Sequence, residues 1–219
     1  YARRPAVHLR ALPPGYPPPM KSLHRPELYS WSVFDEARNV DFHGLCIARP
    51  EGSVLVDPLP MSPHDRAHLD SLGPVDVIVV TNSDHTRAAE ALADQTGAIL
   101  CGPAAERHNF PMRIDRWLSE GDQVVPGLIV HTLDGSKTPG EISLVWQGST
   151  LITGDLIRAH KASGLMILPD PKLVDRMLAI QSVRRLAELP GIEAVLVGDG
   201  WQVFRGGGAL LRNLADSLG

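Results

Sequence analysis

The chain has 219 residues, 43% hydrophobic and 21% charged, which excludes wholesale disorder, collagen and coiled coil. Two cysteines, Cys46 and Cys101, are too few for a disulfide framework, so a reducing, cytoplasmic compartment is the default; no apolar run approaches the ~18–20 residues of a membrane span, so no membrane partner is expected. The net charge of −4 is uneven: residues 1–25 carry five bases and no acid, which leaves 16 bases against 25 acids beyond them, and so acidic a body argues against nucleic acid as partner.

Residues 1–19 hold six prolines, ending in Pro17-Pro18-Pro19, and lack the apolar stretch of a secretory signal. They read as a flexible Pro-rich extension, and 20–219 as a single domain. Tyr29–Phe34, Phe42–Ala48 and Val54–Val56 are apolar runs of strand length. Ser62-Pro63-His64-Asp65 has the form of a capping box with proline at the first helical position, opening a helix to about Leu72. Val75–Val80 reads as a strand, and the alanine-rich Thr86–Thr96 as a helix stopped by Gly97.

Further strands are expected at Ala98–Cys101, Leu128–Leu133, Ile142–Trp146 and Leu151–Ile152, the last two joined as a hairpin through Gln147-Gly148-Ser149. Leu173–Leu189 carries an amphipathic stripe closed by Pro190-Gly191. Ala194–Val197 reads as the last strand and Ala209–Leu218 as a short terminal helix. Strands occur both in hairpins and in β-then-α units, so the fold class is α/β with mixed sheets.

Three segments share one grammar, an apolar strand followed by a turn that holds an acid. They are Val77–Val80 with Thr81-Asn82-Ser83-Asp84-His85, Leu151–Ile152 with Thr153-Gly154-Asp155, and Val195–Val197 with Gly198-Asp199-Gly200-Trp201. Val54-Leu55-Val56-Asp57-Pro58 is a fainter fourth. In open α/β sheets ligands sit beyond the carboxyl ends of strands, and several acids with a histidine there suit a metal or general-base site. Each acid alone has a plainer role, capping the next helix or closing an Asx turn.

Together these segments resemble the metallo-β-lactamase fold superfamily over nearly all of residues 24–205. The motifs that carry the likeness are Val54–Pro58, Thr81–His85, Gly135–Glu141, Leu151–Asp155 and Val197–Gly200. The resemblance implies an αββα sandwich of two mixed sheets flanked by helices. Its narrower motifs, Thr-Asn-Ser-Asp-His-Thr-Arg, Gly-Ser-Lys-Thr-Pro-Gly-Glu and Gly-Asp-Gly-Trp, look like a divergent branch of metal-dependent hydrolases.

The departures from the family pattern carry the functional question. Registered on Asp84-His85, the family's upstream histidines fall at Val80 and Asn82, a third falls at Lys137, and the last falls at Asp199. The resemblance thus implies loss of the first metal site and a partial second one, with Asp84, His85, Asp155 and Asp199 as ligands of at most one divalent ion. Three carboxylates and one imidazole tilt that ion toward Mn²⁺ or Fe²⁺, with Zn²⁺ also acceptable.

The function implied is metal-assisted hydrolysis of a small-molecule ester, thioester or phosphoester, with Asp84 or Asp155 taking the proton and Lys137 stabilising the oxyanion. Asn82, Arg158 and Trp201 are the expected substrate contacts. The alternative is a non-catalytic binding protein with no metal, in which Lys137 pairs with Asp155 or Asp84 and replaces the lost cation electrostatically. His64 and His68, four apart on an expected helix, read as a solvated face. His43 sits in a strand run, and both cysteines read as small buried hydrophobes.

Overall fold

The computed structural model describes residues 20–161 and 164–219; the Pro-rich extension lies outside the described residues. A first sheet of seven strands runs in chain order: β1 (Lys21–Ser22), β2 (Leu28–Asp35), β3 (Val40–Ile47), β4 (Ser53–Val56), β5 (Val75–Val79), β6 (Ile99–Pro103) and β7 (Arg116–Leu118). Pairing is antiparallel from β1 to β4 and parallel from β4 to β7. The second sheet uses β8 (Gln123–Val125), β9 (Leu128–Leu133), β10 (Glu141–Trp146) and β11 (Thr150–Ile152). A separate hairpin follows, β12 (Ile157–Lys161) with β13 (Gly164–Ile167), and β14 (Ala194–Leu196) returns to complete the second sheet in the order β14-β11-β10-β9-β8. Only the β11–β14 pair there is parallel, so both sheets are mixed, as expected.

Helices α1 (Pro63–Ser71) and α2 (Ala89–Thr96) cover the first sheet; α3 (Arg176–Ala187) and α4 (Gly207–Ser217) cover the second. Side-chain alternation builds three apolar layers from this order. Val54, Val56, Val77 and Val79 face the second sheet and meet Val130, Leu144, Ile152 and Leu196. Their neighbours Leu55, Ile78 and Val80 point the other way, onto Leu69 and Leu92 of α1 and α2. Leu151 and Val195 do the same beneath Val183 and Leu211 of α3 and α4. Strands buried on both faces explain why these segments read as unbroken apolar runs.

The expected punctuation is present. Ser62 Oγ accepts the Asp65 N–H at 3.1 Å and the Asp65 carboxylate accepts the Ser62 N–H at 3.3 Å. Ser62→Ala is therefore expected to cost about 1 kcal/mol in thermal or denaturant unfolding. Gln147 and Gly148 both take positive φ in the β10–β11 hairpin, and α2 ends on left-handed Gly97.

Three helix starts differ from the sequence expectation, α4 opening at Gly207 rather than Ala209. The segment read as a helix from Thr86 first makes a tight 3-10 turn at Ser83–His85, and α2 begins at Ala89. Arg87 intervenes with φ 39, its guanidinium donating to His43 O at 3.0 Å and Asp57 O at 3.1 Å. These tertiary bonds outweigh local helix propensity. α3 starts at Arg176 because Asp175 caps it, accepting the N–H groups of Met177 at 2.8 Å and Leu178 at 3.0 Å.

Candidate active site

The carboxyl ends of β4, β5, β11 and β14 converge, and each delivers one acid-bearing turn. Asp57 follows β4 in the left-handed region, φ 46, which aspartate tolerates better than most residues. Its buried carboxylate accepts the Thr81 N–H at 2.8 Å, the Thr81 hydroxyl at 2.6 Å and His85 Nδ1–H at 2.7 Å. The imidazole is thereby fixed with Nε2 toward Asp155 Oδ2, 3.5 Å away. Burial opposes charge on His85, but the carboxylates of Asp57 and Asp155 prevail and push its pKa up to about 9. Burial likewise opposes the Asp57 charge, and the His85 imidazolium holds that carboxyl below its ordinary value nonetheless.

Lys137 lies in the β9–β10 loop between two buried anchors. Ser136 donates to Glu141 Oε2 at 2.5 Å, and Thr138 donates to Glu106 Oε1 at 2.8 Å. Glu106 also accepts the Ser83 N–H at 3.1 Å, so one buried side chain ties the Lys137 loop to the turn that carries Asp84 and His85. Gly135 is required here, because a Cβ would stand 2.2 Å from the Asp175 carbonyl oxygen at a φ of +79. Held this way, the Lys137 ammonium pairs with Asp84 and lies 4.0 Å from Asp155 Oδ2.

Asp155 is positioned by Glu141, which accepts the neighbouring Leu156 N–H at 3.0 Å. Burial and the charge of Asp155 push the Glu141 carboxyl up to about 7. Asp155 itself, although buried, is held well below the usual carboxylate range by His85, then Lys137 and Arg158. Arg158, on β12, lies 3.9 Å from Asp155 Oδ1 and pairs directly with Asp199, which also meets His160 Nε2 at 3.0 Å. The result is a chain of alternating charge: Asp57, His85, Asp155, Lys137 and Asp84, with a branch through Arg158 to Asp199. Arg158 Nε and Asp199 Oδ1 are buried and have no hydrogen-bond partner among the described residues.

This cluster floors a cavity of about 610 Å³. Arg38, Arg87 and Lys172 add positive charge around it, and Phe42, Leu59 and Leu168 supply apolar wall. Arg38 and Arg87 lie on the Phe42 ring, 5.6 and 5.4 Å from its centroid. A positive cavity in an acidic protein focuses field toward an anion.

A family model described as "Metallo-beta-lactamase superfamily" matches residues 20–218. The chain belongs to the metallo-beta-lactamase superfamily. Among solved structures it is similar to a metallo-beta-lactamase from Pontibacter korlensis, with TM-score 0.71, 18% identity, and 91% of this chain and 97% of that one covered. It is also similar to the metallo-beta-lactamase FIM-1 from Pseudomonas aeruginosa in its mono-zinc form (TM-score 0.67, 19% identity, 87% and 90% covered). The third is ETHE1 from Myxococcus xanthus (TM-score 0.62, 21% identity, 78% and 76% covered). At these identities the likeness is one of fold. No curated protein matches the sequence.

The metal that gives the superfamily its name can be tested against the donors present. His85 Nε2 and Asp155 Oδ2 face each other, but Asp84 is engaged by Lys137 and Asp199 by Arg158 and His160. Among the described residues, no three or more His, Cys, Asp or Glu side chains gather as a metal-holding group. The carboxylates of Asp57, Asp84, Asp155 and Asp199 already meet the His85 imidazolium, the Lys137 ammonium and the Arg158 guanidinium. Two further positive charges would leave protein cations buried and unmatched. With Lys137 and Arg158 paired to these acids, the arrangement does not fit a divalent ion.

The structure brings Asp84, His85, Lys137, Asp155 and Asp199 of this superfamily member to one cavity. Asn82 is there in another role. Fully buried, it accepts the Asp84 N–H at 3.0 Å and points its amide at Asp155 Oδ2, 3.4 Å away, so it orients carboxylates rather than meeting substrate. Arg158 lies in the floor rather than at the mouth. Trp201 lines an adjoining groove instead. Sequence reasoning missed Arg38, His160 and Lys172, which stand in no motif, and gave no role to Arg87, although it closes the Thr-Asn-Ser-Asp-His-Thr-Arg motif. Asp57 was visible only as a strand-end acid, and its partnership with His85 spans 28 positions.

Proposed function

We propose that this chain binds a small organic anion in the cavity at the strand ends, with protein cations neutralising the acids that a metal would otherwise neutralise. The observation that carries the reading is Lys137, set against Asp84 and 4.0 Å from Asp155. The protonation of the floor supports binding over metal-free hydrolysis. With a pKa near 9, His85 holds its proton at neutral pH and cannot act as a base, and Asp155 is too acidic to draw one from water. Arg38, Arg87 and Lys172 at the cavity wall supply the attraction for the ligand.

A second reading, a hydrolase of the superfamily with one divalent ion on Asp84, His85, Asp155 and Asp199, is favoured by one distance. The 3.5 Å between His85 Nε2 and Asp155 Oδ2 is about the edge of a tetrahedron of ligands ~2.1 Å from zinc. It requires Lys137 and Arg158 to release their acids.

Elemental analysis of protein purified without chelators or a His-tag, beside calorimetric titration with inorganic phosphate, separates the two. The expected result is well under one equivalent of divalent metal and saturable phosphate binding, weakened about fivefold in Arg38→Ala, equivalent to about 1 kcal/mol. One equivalent of metal, lost in Asp84→Ala, would install the hydrolase reading. No phosphate binding with no metal would remove both.

A further inference from the structure

Beside the cavity runs a groove of about 470 Å³, within the ordinary size of a small-molecule site. The two share Arg38, Val40 and His160 as a common wall. One side of the groove is the face of β2 bearing Ser30, Ser32 and Phe34, with His43 of β3 beside it; the other is the segment after β14, with Trp201 and Phe204. Phe34, Trp201 and Phe204 are 54%, 65% and 39% exposed, and they are the exposed phenylalanine and tryptophan side chains of the described residues. All three line this one groove.

The backbone that presents Trp201 is held in place. Trp201 N–H donates to Ala159 O at 2.8 Å and Gly200 N–H to Asp41 O at 3.1 Å, while His43 Nε2–H donates to Gly200 O at 2.7 Å. Gly200, at φ +97, lies so close to β12 that a Cβ would stand 2.4 Å from Ala159 O, so the turn that presents Trp201 admits only glycine there. Phe204 stacks on His24 with centroids 5.6 Å apart. Large aromatic faces left in water on a fixed scaffold form a binding surface, and flat ligands gain from them without ordering the protein.

We infer that the cavity and the groove are two halves of one site, whose ligand is an organic anion with an aromatic or flat apolar body. The anionic head lies among Arg38, Arg87, Lys137 and Lys172, and the body crosses the wall of Arg38, Val40 and His160 to rest on Trp201, Phe34 and Phe204. This rests on the anion reading above and adds the class of molecule that carries the anion.

The test compares 1-naphthyl phosphate with inorganic phosphate on the full chain, by calorimetry and by tryptophan fluorescence. In the parent protein the naphthyl ester is expected to bind about tenfold more tightly, with a change in tryptophan emission that phosphate does not cause. Trp201→Ala, a surface substitution, is expected to abolish the preference and the emission change while phosphate affinity stays as it was. Phe34→Ala is expected to reduce the preference in part. Equal affinities in the parent protein, or a preference that survives Trp201→Ala, would overturn the inference while leaving the anion site standing. Binding of neither anion would mean that the anion reading itself had failed, and the joint site with it. Should Trp201→Ala alter only self-association at high protein concentration, the aromatic surface is a contact between copies and the inference is likewise overturned.

Discussion

Lys137→Ala is expected to unfold about 3–8 °C below the parent protein and to recover that loss when millimolar Mn²⁺ or Zn²⁺ is added. Removing the ammonium leaves Asp84 and Asp155 facing each other with less positive charge between them. Lys137 and Asp84 are 40% and 44% exposed at their side chains, so solvent screens much of their pair, and the cost is about 1–2 kcal/mol rather than that of a buried ion pair. Spread over a domain of this size, that energy gives the stated shift. A divalent ion then finds Asp84 released and Asp155 with less positive charge beside it, so it stabilises the variant by mass action. The parent protein is expected to show no such response. Lys137→Met keeps the aliphatic stem and separates packing from charge. A variant as stable as the parent and indifferent to metal would reduce Lys137 to a surface lysine.

The second large effect is on pH. His85 has a folded pKa near 9 against an ordinary value of 6.5. Its ion pairs therefore stabilise fully below pH 6.5 and are lost as pH rises through about 9, a loss of about 3 kcal/mol. Glu141, pushed up to about 7 from 4.5, adds a loss of the same sign at lower pH, because its buried carboxyl must ionise as pH rises. Asp155 acts in the opposite direction. Its lowered pKa supports the fold above the ordinary value of 3.8, and that support fades as pH falls further. Denaturant midpoints measured from pH 3 to 10 are expected to decline on both sides of a mildly acidic maximum. His85→Asn is expected to cost about 3–5 kcal/mol at pH 6 by stranding Asp57, and to flatten the slope between pH 6.5 and 9. A parent protein with no alkaline slope in that window would contradict the imidazolium assignment.

Strands buried on both faces, such as Val75–Val79 and Thr150–Ile152, were plainest in the sequence, because an unbroken apolar run needs no partner to be recognised. Those it hid are short or charged. Arg116–Leu118 has three residues, and Ile157–Lys161 reads Ile-Arg-Ala-His-Lys because Arg158 and His160 turn toward the cavity. The Asp84-His85, Lys137, Asp155 and Asp199 positions were legible as motif positions. Apart from the pairing of Lys137 with Asp84 and Asp155, their partners were not. The Arg158 guanidinium meets an acid 41 residues away, and Arg87 breaks a helical pattern to reach backbone oxygens on two other segments. Local periodicity carries no trace of either.

The alternating ion chain also bears on how the protein folds. Asp57 and His85 hang from the first sheet, whereas Lys137, Asp155 and Asp199 hang from loops of the second. Two links cross between the sheets, His85 to Asp155 and Lys137 to Asp84, so neither sheet alone completes the chain. A half-assembled chain would thus leave Asp84 without its cation at the open seam between apolar faces, where hydration is poor. Such an intermediate is penalised twice, once for exposed valine and leucine and once for stranded charge. The two halves of the sandwich are driven to form and dissolve together, in a single cooperative transition.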